Sequence, residues 1–377
     1  MFDQLKLETV LLKNCHRLGY TRPMPIQSSS IPPALDGLDV VATAETGSGK
    51  TAAFLLPILH RLMSGRQGKV RALILCPTRE IALQTAGEAS KLGRGTRVRS
   101  TAIYGGVGYQ KQETALRRGT DLIVATPGRL LDFLQKGLIS LQGIEILVLD
   151  EADRMLDMGF MPDIRRILKG VPESKQTLLF SATMPQEILA LCQQLMHEPV
   201  RVSVGDLAMP PSAIQQTIWI TAHDEKTPKL ISLLKDGAAG SVLVFTCTKH
   251  RADRLTRQLV KAGLSATCIH GNRSQRQREA ALNGFRRGAY QVLVATDIAA
   301  RGLDVHIIKQ VINYDLPKVP NDYVHRIGRT ARAGASGHAL SLVTEADKHA
   351  LRGIEKSLGY RIRRVGRTPA AKDATGN

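Results

Sequence analysis

The chain has 377 residues and carries 52 lysines and arginines against 33 aspartates and glutamates, a formal charge of +19. Hydrophobic residues make up 43% and charged residues 23%, as in a folded globular chain, and no stretch approaches the ~18 apolar residues of a membrane span. The five cysteines (Cys15, Cys76, Cys192, Cys247, Cys268) are scattered without CxxC spacing, and Met1 to Lys6 lack the basic-then-apolar pattern of a leader. Secreted, membrane and zinc-finger readings are excluded, and a cytoplasmic protein with a polyanionic partner is expected.

Excess Lys and Arg favour nucleic acid, although solubility alone explains such a charge equally well. The excess is uneven: residues 1–213 carry 25 basic and 20 acidic residues, residues 214–377 carry 27 and 13. Aromatic residues are only 4%, with one tryptophan, Trp219. Stacking platforms are scarce, so any nucleic acid should be held through phosphates and sugars.

Short apolar runs alternate with helical stretches along the chain. In the first half they fall at 39–43, 70–76, 121–125, 144–149 and 177–180; in the second at 214–220, 242–246, 266–269, 291–295, 310–313 and 339–343. Continuous apolar runs of this length predict buried parallel strands in an α/β sheet, and the two halves read as two copies of one architecture. Both patterns pause at 205–213, where a Pro-Pro pair marks a linker between a first domain, 1–204, and a second, 214–360. Residues 361–377 read as a short basic tail.

The strongest signal is Ala44-Glu45-Thr46-Gly47-Ser48-Gly49-Lys50-Thr51, between the run at 39–43 and an apolar helix. A glycine-rich turn lets backbone N–H groups cradle phosphate, Lys50 adds charge for the β- and γ-phosphates, and the Thr51 hydroxyl can ligate Mg²⁺. The helix dipole points at the same anion. Ala44 stands where the usual pattern has its first glycine. The run at 144–149 ends in Asp150-Glu151-Ala152-Asp153, which places carboxylates at the C-terminal edge of the sheet. Asp150 is placed to hold Mg²⁺, partly through water, and Glu151 to orient and deprotonate an attacking water. Together these predict an NTPase that uses Mg²⁺.

Asp150-Glu151-Ala152-Asp153 resembles the signature of the DEAD-box RNA helicases, and further motifs follow in that family's order. They are Gly19 to Gln27 with Phe2 upstream, Pro77 to Ala82, Gly105-Gly106, Thr126 to Arg129, Ser181-Ala182-Thr183, Gln275 with Arg278, Ala295-Thr296-Asp297 through Asp304, and His325 to Arg332. The resemblance, closest to a compact bacterial RhlE-like type, covers residues 2 to about 345. It implies two tandem RecA-like domains that close on ATP and single-stranded RNA.

On that resemblance Gln27 reads adenine, with Tyr20 or Phe2 supplying apolar packing, and Asp304 contacts ribose. Met24 stands where the family usually has Ser or Thr, and Ala331 where it has Gly. His325, Arg329 and Arg332 fall at i, i+4 and i+7, so on a helix they share one cationic face. Arg329 and Arg332 then act as arginine fingers on the γ-phosphate. Thr78, Arg79, Gly105, Gly106, Thr126, Gly128 and Arg129 resemble the first domain's RNA-backbone loops, and Gln275, Arg278 and Thr296 those of the second. Asp153, Ser181, Thr183 and His325 couple the two functions. No His/Cys cluster is read as a metal site.

The expected activity is ATP-dependent, sequence-blind unwinding of short RNA duplexes by a monomer away from membranes. An ATP-gated RNA clamp and, less favoured, a DNA-directed helicase are the alternatives.

Overall fold

Runs such as Ala72–Leu75 and Leu122–Ala125 are apolar at every position, and a strand of that kind is stable only when both its faces are covered. That is where they lie. The structure, a computed structural model, describes residues 2–44, 47–65, 67–204, 214–236, 240–300, 308–331 and 336–365; for Gln275, Ile298 and Asn321 it describes the backbone only. The chain divides into two compact units, Met1–Leu207 and Ala208–Asn377. The expected linker at 205–213 lies outside the described residues.

The first unit is built on seven strands: β1 (Val40–Ala44), β2 (Ala72–Leu75), β3 (Ser100–Ile103), β4 (Leu122–Ala125), β5 (Ile146–Asp150), β6 (Gln176–Ser181) and β7 (Val200–Val204). All pairings are parallel, in the order β3-β4-β2-β5-β6-β1-β7. Alternate residues of one strand enter separate cores on the two faces: Ala72 and Ile74 join one cluster, Leu73 and Leu75 the other.

The second unit contains β8 (Ile214–Ile220), β9 (Ser241–Phe245), β10 (Ala266–Ile269), β11 (Val292–Ala295), β12 (Ile308–Asn313), β13 (Gly337–Val343) and β14 (Arg363–Val365). Their order, β10-β11-β9-β12-β13-β8-β14, repeats the first sheet strand for strand, again in parallel. Both units are RecA-like α/β sheets. No helix among the described residues is long and apolar enough to cross a membrane.

Three strands escape the apolar-run criterion. β3 and β7 are only partly buried, and β14 is Arg-Arg-Val. The last corrects the expected tail: Ile362 is buried in a core, and Arg363–Val365 pairs with Thr217–Trp219 of β8. The sheet therefore extends to Val365, and residues 366–377 lie outside the described part.

Candidate functional site

Strand order divides the C-terminal edge of the first sheet into two halves. β6 lies between β5 and β1, with Asp150 in register with Phe180 and Thr43 with Ser181. The phosphate loop after β1 and the carboxylates after β5 thus flank one strand end. β2, β4 and β3 form the other half, and their ends carry Thr78, Thr126 and Gly105-Gly106.

Ala44, the departure from the phosphate-loop pattern, is accommodated because it extends β1 in register with Val204. Its carbonyl accepts a hydrogen bond from Lys50 Nζ at 2.7 Å, so the buried ammonium is held over the loop. Gly49 caps the helix Lys50–Leu62 at φ 90°, a left-handed conformation that suits glycine. A Cβ there would stand 2.6 Å from Gln27 Nε2 and 2.8 Å from Met24 Sδ. Ser48 and Thr51 are half-buried at this turn. Glu45 and Thr46 lie outside the described residues.

Gln27, 3% exposed, ties the helix Pro25–Leu35 to the loop: its Oε1 accepts from Met24 N–H at 2.9 Å and its Nε2 donates to Gly49 O at 3.1 Å. Met24 precedes that helix and makes no side-chain cap; a Ser or Thr cap would contribute about 1 kcal/mol, and the Gln27 bond to Met24 N–H satisfies the same end. Of the two aromatic candidates, Phe2 has no exposed surface. It is a core residue, stacked on Tyr20 with ring centroids 6.0 Å apart, so in this arrangement it offers no face to a base. Tyr20 is half-buried and donates its hydroxyl to Glu88 at 2.7 Å.

Asp150 and Glu151 are both buried. Burial first and the neighbouring Glu151 charge second raise the Asp150 carboxyl, against the opposing pull of Lys50 and Arg154, to about 7. Adjacent buried carboxylates with a threonine hydroxyl at the facing loop form an oxygen donor set that fits a divalent cation. Glu151 sits at φ 53°, ψ 51°, a strained conformation for its side chain that costs roughly 1–3 kcal/mol. Arg154, 2% exposed, holds it through an Nη1–Oε2 contact of 2.6 Å. Sequence reading passed over Arg154; its i+3 spacing from Glu151 was the available signal.

Asp153, Ser181 and Thr183 form one network. Asp153 N–H donates to Ser181 Oγ at 3.2 Å, Ser181 Oγ donates to Thr183 O at 2.7 Å, and Thr183 donates both N–H and hydroxyl to Asp153 Oδ2 at 2.9 Å.

On the other half of the edge, Thr78 caps the helix Arg79–Leu92 by accepting from Ile81 N–H. Arg79 packs over Gly106, at φ 81°, where a Cβ would stand 2.3 Å from the guanidinium. Thr126 precedes the helix Pro127–Gln135, and Gly128 is exposed. Arg129 is turned inward: it donates to Val107 O at 2.9 Å and lies 4.1 Å from the Tyr109 ring centroid. Here it braces the loop that carries Gly105 and Gly106. Gln112, missed in the sequence, holds the same loop by bonding both the N–H and the carbonyl of Tyr104.

In the second unit Ser274 caps the helix Gln275–Arg286, with Gln277 closing the capping box. Arg278 is buried on this helix, in line with buried Leu282 and Phe285. Thr296 follows β11 and its carbonyl accepts from Ala299 and Ala300. The expected cationic helix face does not reach Arg329. The helix Pro320–Ile327 ends before Arg329, which turns back to donate its Nε to His325 O at 3.2 Å and is 3% exposed. Ala331, at φ 56°, occupies the conformation a glycine would take without strain. Arg332 and Asp304 lie outside the described residues.

A second buried cation of that segment is Arg326. It grips Asp297 with two bonds of 2.6 and 2.7 Å and donates to Asn313 Oδ1 and Asp315 O. Cys268 and His270 lie two residues apart and meet Asp253 from a neighbouring helix, with ligand atoms within 4.8 Å. Arg273 already fills the cluster, donating to Asp253 Oδ1 at 2.8 Å and contacting Cys268 Sγ at 3.1 Å.

Paired parallel sheets, one bearing a phosphate loop beside two carboxylates, define the P-loop class of α/β proteins. Residues 24–191 match the DEAD/DEAH box helicase family and residues 225–334 the helicase conserved C-terminal domain. The chain belongs to the DEAD-box helicase family. It is 48% identical over 343 residues to DEAD-box ATP-dependent RNA helicase 40 of Oryza sativa subsp. japonica, covering 89% of this chain and 43% of the relative. It is 42% identical over 362 residues to the ATP-dependent RNA helicase CshA of Listeria monocytogenes, covering 96% of this chain and 69% of the relative. Among solved structures it resembles S. cerevisiae Dbp5 bound to RNA and ADP BeF3, with a TM-score of 0.89 and 31% identity over 97% of this chain and 95% of that one. The chain thus spans less than half the length of the rice relative.

Proposed function

We propose that the protein is an ATP-dependent RNA helicase that hydrolyses ATP and separates short RNA duplexes with little sequence preference. The observation that carries this reading is the grouping at β1, β5 and β6: Lys50 over the phosphate loop, Gln27 braced against Gly49, and Glu151 locked by Arg154 beside Asp150. Family membership supports the same activity.

In this mechanism Lys50 releases the Ala44 carbonyl and neutralises phosphate charge. Gln27 keeps one amide edge engaged with Gly49 and offers the remainder of its amide to the adenine edge. Thr51 and Asp150 would hold Mg²⁺, which would screen the phosphate charge. Glu151 accepts the proton of the attacking water, and its fixed backbone and Arg154 contact set the direction of its carboxylate. The Asp153–Ser181–Thr183 network carries changes at the carboxylates to the end of β6. RNA phosphates meet Arg79 and the main chain of Gly105, Gly106, Thr126 and Gly128, and in the second unit Gln275, Arg278 and Thr296. Assignment of Arg329, Arg332 and Asp304 to the nucleotide rests on the motif resemblance. So does the RhlE-like subgroup, and the relatives reported above are a plant and a Listeria protein. A cytoplasmic, monomeric protein is part of this proposal.

The test is phosphate release with single-stranded RNA and DNA of equal length, in the parent and in Glu151→Gln. RNA should stimulate more than DNA, and the variant should bind ATP and RNA normally while turnover falls by about 10²–10⁴-fold, the usual worth of a positioned general base. Stronger stimulation by DNA overturns the RNA assignment, and undiminished turnover removes Glu151 from its role.

A further inference from the structure

The second unit contains a groove of about 890 Å³ between the helices Lys226–Asp236 and Lys249–Lys261, remote in sequence from every motif used above. We propose that it docks an acidic peptide segment that carries apolar side chains, a property independent of the activity proposed above.

The groove combines two kinds of surface. Pro228 and Ile231 from one helix and Leu255 from the other give it apolar walls, with Tyr314 at its base. Arg254 and Lys261 stand on its rim, both exposed, and neither has an ion pair or hydrogen bond among the described residues. Seven residues apart on one helix, they share a face and are separated by about 10 Å along its axis. A third rim cation, Arg251, is already paired with Asp315 at 2.6 Å, and the one acid at the rim is Asp224.

Charge complementarity decides the occupant. Two unpaired cations over an apolar floor suit carboxylates alternating with apolar side chains, because an extended strand sends successive side chains to opposite faces. From Arg251 to Lys261 the groove runs about 15 Å, the span of four or five extended residues. RNA would place phosphates on the rim but leave the apolar walls without a partner. A neutral peptide would leave the cations unanswered. Arg254, Arg257 and Lys261 fall at i, i+3 and i+7 on this helix, so Arg257 adds a third exposed cation to the stripe within the groove's own length.

The experiment selects a displayed library of random peptides, about twelve residues each, on the immobilised full chain and on Arg254→Glu/Lys261→Glu. A consensus peptide is then titrated by fluorescence anisotropy against both and against Ile231→Gln, alongside a single-stranded RNA of similar charge. The enriched peptides should carry Asp or Glu interleaved with Leu, Ile or Phe. They should bind the doubly reversed variant at least tenfold more weakly and Ile231→Gln several-fold more weakly, with unchanged RNA-stimulated turnover showing that the fold is intact. Peptides lacking acids, or binding the reversed variant as well as the parent, overturn the proposal. So does an RNA affinity that falls in step with the peptide's, which would assign the groove to RNA.

Discussion

Arg154→Met removes one partner of a buried ion pair while nearly preserving side-chain volume. The Arg154 and Glu151 side chains are 3% and 9% exposed and meet at 2.6 Å, so the variant leaves a carboxylate uncompensated in a dry site that already holds Asp150. Breaking such a pair from one side costs about 3–5 kcal/mol. In a unit of this size each kcal/mol moves the midpoint by roughly 2–4 °C, so the first unit should melt on the order of 10 °C lower. The assay is calorimetry of the full chain, in which the two units can unfold as separate transitions and only one should move. The double variant Glu151→Gln/Arg154→Met should recover a large part of the loss, because no charge is then stranded, and the coupling between the two changes should exceed about 1 kcal/mol. A single variant within ~2 °C of the parent, or a double variant whose losses simply add, would refute the view that Arg154 is what makes the strained Glu151 tenable.

Gly49→Ala should impair both nucleotide binding and stability, since a Cβ at φ 90° would press on Gln27 Nε2 at 2.6 Å; nucleotide titration and a thermal melt check this, and normal affinity would contradict it. Ala331→Gly should leave the second unit as stable or up to about 1 kcal/mol more stable, because relief of the left-handed strain at φ 56° opposes the added freedom of the unfolded chain; a loss beyond 1 kcal/mol in denaturant unfolding would show that the conformation is not strained.

The sequence made the central strands legible because being buried on both faces demands apolar residues at every position, as in β2 and β4. The edge was harder. Arg363–Val365 carries no apolar run, and its pairing with β8 depends on main-chain bonds that any residue can make. At the site, the phosphate loop, Gln27 and the carboxylates stood out because each chemical task limits the residue types that can perform it. The braces did not. Arg154, Gln112 and Arg326 act through burial and partner geometry, and a sequence shows neither directly. The shared helical face of His325 and Arg329 failed for a related reason: i+4 spacing shares a face only while the helix continues, and this one stops at Ile327. The Asp253–Cys268–His270 cluster was hidden by the separation of its members along the chain, since a strand end and a helix face had to be brought together first.

Net charge takes on a different meaning once burial is known. Arg154 with Glu151, Arg71 with Glu145, Lys226 with Asp347 and Arg326 with Asp297 place a cation of low exposure against a carboxylate. Each such pair removes one charge of either sign and leaves the surplus of +19 unchanged; buried Lys50, Arg278 and Arg329 carry a small part of it, and most falls to the remaining surface and the loops. The helix Lys249–Lys261 alone holds Lys249, Arg251, Arg254, Arg257 and Lys261 against the single acid Asp253. A helix so one-sided gains nothing in stability from its own like charges at i and i+4 spacing, and it repels itself slightly. The surplus is therefore best explained by what approaches that surface. An anionic partner there must bind with a strong salt dependence, whether or not the phosphate loop in the first unit is engaged.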